Sequence, residues 1–199
     1  MGQANDEQTL AFYERDAAAY ASHARREHPR LAEFLSRLAP GARILELGCG
    51  GGTDAEVMLA AGFDVEPTDG SPMLAAEAAR RLGRPVRVLL FDDLDDEGAY
   101  DAIWASAALL HVPEEQLVQV LARVSRALRP GGLFYASFKA GQGGGRDRFG
   151  RYFNFPTRES LDQAYESAGR WSERTVREAE GGGYDGVART WLDCLARKD

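Results

Sequence analysis

The sequence predicts one α/β domain, a doubly wound, mostly parallel seven-stranded sheet that closes with an antiparallel C-terminal hairpin. Three observations predict it. Between residues 42 and 139, short aliphatic runs alternate with stretches of helical periodicity, the order that builds a parallel sheet from βαβ units. The first of these runs ends in Gly48-Cys49-Gly50-Gly51-Gly52 and leads into a helix, as at the switch point of an open sheet. Near the end of the chain, two β-like runs flank the turn Gly181-Gly182-Gly183, the pattern of a hairpin at a sheet edge.

Taken in order, Glu7 to Leu38 reads as two helices broken near Pro29, free to cover one end of the sheet as a lid. Ala42 to Leu47 (ARILEL) follows the Pro40-Gly41 turn and is the first strand. Thr53 to Ala61 is a helix that stops at Gly62. Phe63 to Thr68 is the second strand, and Pro67 removes a ladder donor within it, which predicts a short or irregular strand just before Asp69. Ser71 caps and Pro72 opens a helix to Leu82, and Val86 to Phe91 is the third strand. Tyr100 to Ala107 is the fourth. Glu114 to Leu128 is a long amphipathic helix closed by Pro130-Gly131-Gly132, and Leu133 to Phe138 is the fifth strand. Next comes AGQGGGRDRFGRYF, a loop of about 14 residues, long enough to be functional or mobile. Thr157 to Ala168 is helical, and Trp171 to Glu180 with Val187 to Lys198 forms the hairpin.

At 199 residues and 44% hydrophobic, the chain suits one core rather than two. We divide the single domain into an N-terminal helical lid (1–40), a ligand-binding core (41–139) and a substrate-side loop, helix and hairpin (140–199). A formal charge of -7 argues against a phosphate backbone and for a small-molecule partner. The start, MGQANDEQTLAF, lacks the basic and apolar regions of a signal peptide, and no run reaches the roughly 18 apolar residues of a membrane span. A cytoplasmic monomer or homodimer is expected. Gly2 suggests myristoylation, but Asp6 stands where that motif wants Ser or Thr. Cys49 and Cys194 offer no metal-ligand spacing and no disulfide framework, so no metal is expected.

Ligands of open parallel sheets bind beyond the strand ends where the strand order reverses, here the end of the first strand. Gly48, Gly50 and Gly52 clear side chains from that point, and amides at the following helix start can hold an anion. Glu46, two residues before the first glycine, suits an ammonium better than a pyrophosphate, which points to S-adenosylmethionine. Asp69, about 23 residues further on, stands where a carboxylate accepts from both ribose hydroxyls. Met73 is placed to pack on an adenine, and Asp92 or Asp93 to accept from its amino group. Cys49, filler in the tight loop, and Gly70, next to the ribose acid, complete the expected cofactor contacts. A competing register exists, since Gly50 to Ala55 satisfies the G-x-G-x-x-A fingerprint of nicotinamide dinucleotide enzymes but leaves Glu46 unexplained.

The segments ILELGCGGGTDA, TDGSPMLAAEAA, YDAIWASAALLHVP and LRPGGLFYASFK resemble the successive motifs of the class I S-adenosylmethionine-dependent methyltransferases. The resemblance covers roughly residues 42 to 139 and implies the Rossmann-like fold of that family. It also implies that Glu46, Gly48 and Gly50 meet the methionine part of the cofactor, Asp69 the ribose, and Asp92 or Asp93 the adenine. Outside that core, FYERDAAAYASH resembles the Tyr-bearing first helix of small-molecule members. SFKAGQGGGRDRFGRYF is similar to a bacterial subgroup, the tellurite-resistance-like methyltransferases.

On the acceptor side, His111 in LLHVP follows the fourth strand and is placed as a general base or substrate contact, or simply as a cap on the next helix. Tyr13 and Tyr20 can close the cofactor site, although aromatics seven apart on a helix also serve as core. Lys139, Arg146, Arg148 and Arg151 concentrate positive charge and can clamp an acidic substrate, Arg151 foremost because Tyr152 and Phe153 adjoin it. Trp104 and Trp191 read as core or pocket wall. The expected function is in-line methyl transfer from S-adenosylmethionine to a small molecule, leaving S-adenosylhomocysteine. The alternatives are a non-catalytic S-adenosylmethionine-binding module and an NAD(P)-dependent oxidoreductase.

Overall fold

A computed structural model describes residues 4–23 and 28–199. Its strands in chain order are β1 (Arg43–Leu47), β2 (Asp64–Asp69), β3 (Arg87–Val88), β4 (Tyr100–Ala105), β5 (Leu128–Lys139), β6 (Gly144–Arg146), β7 (Tyr152–Asn154), β8 (Trp171–Gly182) and β9 (Ala188–Lys198). The helices are α1 (Glu7–Arg15), α2 (Ala17–Ser22), α3 (Leu31–Ser36), α4 (Thr53–Ala60), α5 (Pro72–Leu82), α6 (Glu114–Ala127) and α7 (Arg158–Ala168). Seven strands form one sheet in the order β3-β2-β1-β4-β5-β9-β8. The first five run parallel; β9 is antiparallel to β5, and β8 to β9. The order reverses between β1 and β4, which opens a cleft beyond their carboxyl ends.

Helices cover both faces, so the central strands are apolar on both sides and read as unbroken aliphatic runs. Neighbouring residues serve opposite layers. Ile44, Ala102 and Trp104 pack with Leu31 and Phe34 of α3 and Met58 of α4. Leu45, Ile103 and Phe134 pack with Leu117, Leu121 and Val124 of α6 and Leu161 and Tyr165 of α7.

Several expectations are corrected. Among the described residues the N-terminal segment has three helices, with a break at Asp16 between α1 and α2; Pro29 does precede α3, but residues 1–3 and 24–27 of the expected lid, Gly2 included, lie outside the described residues. The third strand shrinks to two residues because it is a sheet edge, and Phe91–Asp93 turns into a short 3-10 helix. Pro67 leaves β2 intact. Leu89 N donates to Asp69 O, so the side of β2 that carries residues 67 and 69 faces β3, whose pairing begins only at Thr68. The missing donor of Pro67 thus falls where no partner strand runs. Pro130-Gly131-Gly132 does not close the helix: α6 ends at Ala127, and Leu128 already pairs with Tyr100. The triplet bulges out of β5 before pairing resumes at Ala102 and Leu133. The glycine- and arginine-rich loop contains a small hairpin, β6 against β7, and β8 extends through Gly182, moving the hairpin turn to residues 183–187.

Candidate cofactor and acceptor site

The loop after β1 is shaped by left-handed backbone at Gly48 (φ 69°), Gly50 (φ 55°) and Gly52 (φ 79°). Cys49 N donates to Thr68 O at 2.8 Å, which hangs the loop on the end of β2. A Cβ on Gly48 would stand 2.8 Å from that of Ala108, so the loop and the segment after β4 approach as closely as glycine permits. That segment carries Ala107 at φ 52°, a conformation unusual for a residue with a side chain. Ser137 Oγ holds it by accepting from Ala107 N at 2.8 Å.

Asp69 ends β2 and is 7% exposed. Its two oxygens accept from Gly50 N and Ser71 N, each at 2.9 Å. Burial outweighs those bonds and raises its pKa to about 6. Gly48, Gly50, Asp69 and Gly70 line a cavity of about 640 Å³ of empty space, whose apolar wall is Leu10, Leu74, Leu89 and Phe91. The other expected cofactor residues are placed differently. Glu46 and Cys49 are buried beside the loop without lining this cavity. Met73 is 47% exposed and outside it. Asp93 is exposed, and Asp92 Oδ2 accepts from Ala4 N at 2.8 Å and from Asn5 Nδ2 at 3.3 Å.

The sequence reading did not single out the polar wall supplied by Asn5, Asp6 and Thr9 at the start of α1. The available signal was a helix cap: Asp6 accepts from Thr9 N at 2.8 Å. Nothing local shows that the same carboxylate reaches Arg146, which it does with both oxygens at 2.9 and 2.7 Å. Thr9 Oγ1 accepts from Tyr152 N, and Glu14 accepts from Ser71 Oγ at 2.7 Å. Helix α1 is thereby tied to both rims of the cleft.

Tyr13, Tyr20, Ser106, Ala107 and His111 belong both to this cavity and to a second, wider one of about 1420 Å³, open to solvent. At their junction runs a chain of polar groups. Asp147 Oδ2 accepts from Arg151 Nε at 3.0 Å and Nη2 at 2.6 Å, and Arg151 Nη1 donates to Tyr13 OH at 3.1 Å. Tyr13 OH is 2.8 Å from His111 Nε2, and His111 Nδ1 is 2.6 Å from Tyr152 O. A carbonyl only accepts, so Nδ1 carries the proton, Nε2 is the acceptor and Tyr13 donates to it. Burial lowers the His111 pKa to about 3, which keeps the ring neutral. His111 is therefore part of the junction and not a helix cap. The side chain of Arg151 is 3% exposed, among the rings of Phe12, Tyr13, Phe149, Phe153 and Tyr184; it is a built-in strut on the cavity wall rather than a free arm. Arg146 closes on Asp6, and Arg148 is exposed over Phe149, away from both cavities. Lys139 and Trp191 line the wider cavity, whereas Trp104 is core, donating to Asp54 Oδ2 at 3.0 Å and stacked on Tyr135.

Among the described residues, no group of three or more His, Cys, Asp or Glu side chains is placed to hold a metal, and no helix is long and apolar enough to cross a membrane.

The sheet order, the antiparallel closing strands and a glycine-bounded cleft at the strand reversal define the class I S-adenosylmethionine-dependent methyltransferase fold. The chain belongs to the methyltransferase-domain family, whose model matches residues 20–169. It is 33% identical over 99 residues to an uncharacterized methyltransferase of Synechocystis, covering 49% of this chain and 47% of that one; it spans about half the length of the curated relatives it matches. Among solved structures, the 1,6-didemethyltoxoflavin-N1-methyltransferase of Burkholderia thailandensis, with 1,6-didemethyltoxoflavin and S-adenosylhomocysteine bound, superposes with a TM-score of 0.72 at 23% identity, covering 100% of this chain and 92% of that one. A TehB-like methyltransferase of Corynebacterium glutamicum superposes at 0.68 with 20% identity, covering 98% and 100%. At these identities the structures share the fold.

Proposed function

We propose that the chain is an S-adenosylmethionine-dependent methyltransferase acting on a small-molecule acceptor. The observation that carries this reading is the junction of the two cavities: the glycine-walled cleft with Asp69 opens, past Ala107, Tyr13 and His111, into the wider cavity. The cleft fits a nucleoside. Asp69 offers a buried carboxylate to ribose hydroxyls, the apolar wall offers a slot for a base, and the glycine backbone leaves room for the amino-acid part, with Glu46 behind it. Asp92, which follows Phe91 of the apolar wall, is the nearer of the two acids to serve the base, in place of the Ala4 N it now accepts from.

Bound there, S-adenosylmethionine supplies a methyl group already activated by the sulfonium sulfur. The protein then has to align an acceptor, keep water out and take a proton where the acceptor has one to lose. Helix α1 excludes water by bridging the cleft. Neutral His111 accepts at Nε2 from the Tyr13 hydroxyl and so fixes that hydroxyl at the junction, where it can orient the acceptor. No nucleophilic residue is needed.

Calorimetric titration with S-adenosylmethionine, S-adenosylhomocysteine and NADH tests the reading. Binding of both adenosyl ligands, lost in Asp69→Ala, is expected; binding of NADH alone would overturn it.

A further inference from the structure

The wider cavity holds a cation whose hydrogen-bonding capacity is largely unspent. Lys139 ends β5 with its side chain 3% exposed, yet it lines the cavity. Its ammonium has three donors and, among the described residues, one hydrogen bond, to Asp185 Oδ2 at 3.4 Å, long for a charge-assisted pair. It also lies over the faces of Phe153 and Trp191, 4.0 and 5.8 Å from the ring centroids. A buried ammonium with two donors unspent is costly by itself.

The acids nearby do not offer the missing acceptors. Asp193 takes Arg30 Nε at 3.0 Å and Tyr135 OH at 2.8 Å, and Glu180 takes Thr190 Oγ1 at 2.8 Å. Asp185 also accepts from Val187 N. Arg151, facing the same cavity, is charged and, among the described residues, is ion-paired with Asp147. The walls between are rings, Tyr13, Tyr20, Phe153, Tyr184 and Trp191.

From this arrangement we propose that the acceptor is a flat, aromatic-bodied monocarboxylate whose two oxygens take the two unspent donors of Lys139 while its ring lies among those aromatic walls. Lys139 and Arg151 are each already paired with one aspartate, Asp185 and Asp147, so the wall carries little net positive charge and suits a monoanion better than a dianion such as a phosphate monoester. Selectivity follows from burial, since the matching neutral amide brings an NH₂ group against an ammonium and leaves donors facing donors.

This inference rests on the methyltransferase reading, and the experiment separates the two. With S-adenosylhomocysteine saturating, benzoate, 4-hydroxybenzoate and 4-hydroxyphenylacetate are titrated calorimetrically against their primary amides, in the wild type, Lys139→Met and Lys139→Arg. The acids are expected to bind at least about tenfold tighter than the amides, a margin of about 1.4 kcal/mol. The margin should vanish in Lys139→Met, persist in part in Lys139→Arg, and leave S-adenosylhomocysteine affinity unchanged in both. Amides binding as well as acids, or no acid binding at all, would overturn the carboxylate proposal, and the wild-type comparison decides this even if a variant fails to fold. If S-adenosylhomocysteine itself does not bind the wild type, it is the methyltransferase reading that fails.

Discussion

The phenol of Tyr13 lies 2.8 Å from Nε2 of His111, 98 residues further along the chain. The contact joins helix α1 to the loop after β4, and Arg151 reinforces it by donating to the same phenol oxygen. Because burial holds the His111 pKa at about 3, the imidazole does not change charge between pH 5 and 9. With S-adenosylmethionine saturating, turnover as a function of pH is therefore expected to carry no inflection from His111 near the ordinary histidine value of about 6.5. Tyr13→Phe, which keeps the ring and removes both hydrogen bonds, should lower kcat/KM by about tenfold or more. A wild-type inflection near 6.5 that disappears in His111→Gln would refute the neutral imidazole.

The same depressed pKa has a stability consequence with a definite sign. Between about 3 and 6.5 the unfolded chain binds a proton at this histidine that the folded protein does not. The contribution of His111 is thus complete above pH 6.5 and declines as the pH falls towards 3, by at most about 1.4 kcal/mol per unit. Chemical denaturation at pH 4.5 and 7 should show a smaller loss on acidification in His111→Gln than in the wild type.

Asp69 behaves in the opposite sense. Its folded pKa, about 6, lies above the usual 3.8, so its favourable contribution is complete below 3.8 and lost as the pH rises through 6. At neutral pH the fold carries a buried carboxylate at a cost, and ribose hydroxyls would offset that cost by donating to it. Affinity for S-adenosylhomocysteine should rise from pH 5 to 7.5 with a midpoint near 6, and Asp69→Asn, which cannot ionise, should bind more weakly with a flat profile. A flat wild-type profile would remove Asp69 from the binding set.

These residues show which parts of the site sequence can reveal. The glycine loop and Asp69 were legible because strand-to-helix turns and strand ends have local signatures, and the alternation of elements places them at one edge of the sheet. His111 was legible as a position but not as a state: its neutrality comes from burial, and its tautomer is fixed by Tyr152 O, supplied by β7. The hairpin β6–β7 was missed because Gly144 and Gly145 give little strand signal. It pairs because Arg146 and Tyr152 are held from outside by Asp6 and Thr9. The Pro130–Gly132 bulge was misread for a related reason, since local propensity marks a break in the chain but not whether pairing resumes across it.

The close approach at Gly48 yields a contrast between two glycines. Gly48→Ala places a Cβ 2.8 Å from Ala108 Cβ and imposes φ 69° on a residue with a side chain, and is expected to destabilise by about 2–3 kcal/mol and to weaken cofactor binding. Gly41→Ala meets a similar φ, 71°, but nothing within 4 Å, so it should cost about 1 kcal/mol and leave binding unchanged. Equal losses of stability, read from thermal unfolding, would mean that the loop yields and that the contact with Ala108 does not shape the cleft.

The outer fastening of helix α1 is the pair Asp6 and Arg146. Hydrogen bonding to Arg146 is the main reason that the Asp6 pKa falls to about 2, so the fastening's contribution is complete above pH 3.8 and lost as the pH falls through about 2. Arg146 is 39% exposed and Asp6 15%, so the pair adds no more than about 1 kcal/mol to global stability. Its effect should instead be local. In Arg146→Met, global unfolding is expected to change little, while amide exchange in α1 rises and S-adenosylhomocysteine dissociates several-fold faster. Salt should quicken release in the wild type more than in the variant, because only the wild type has this ion pair to screen. The helix has further ties at Thr9, Tyr13 and Glu14, so the loss should be partial. If exchange in α1 and the release rate both stay at wild-type values, those inner ties hold the helix alone and the ion pair is only a surface contact.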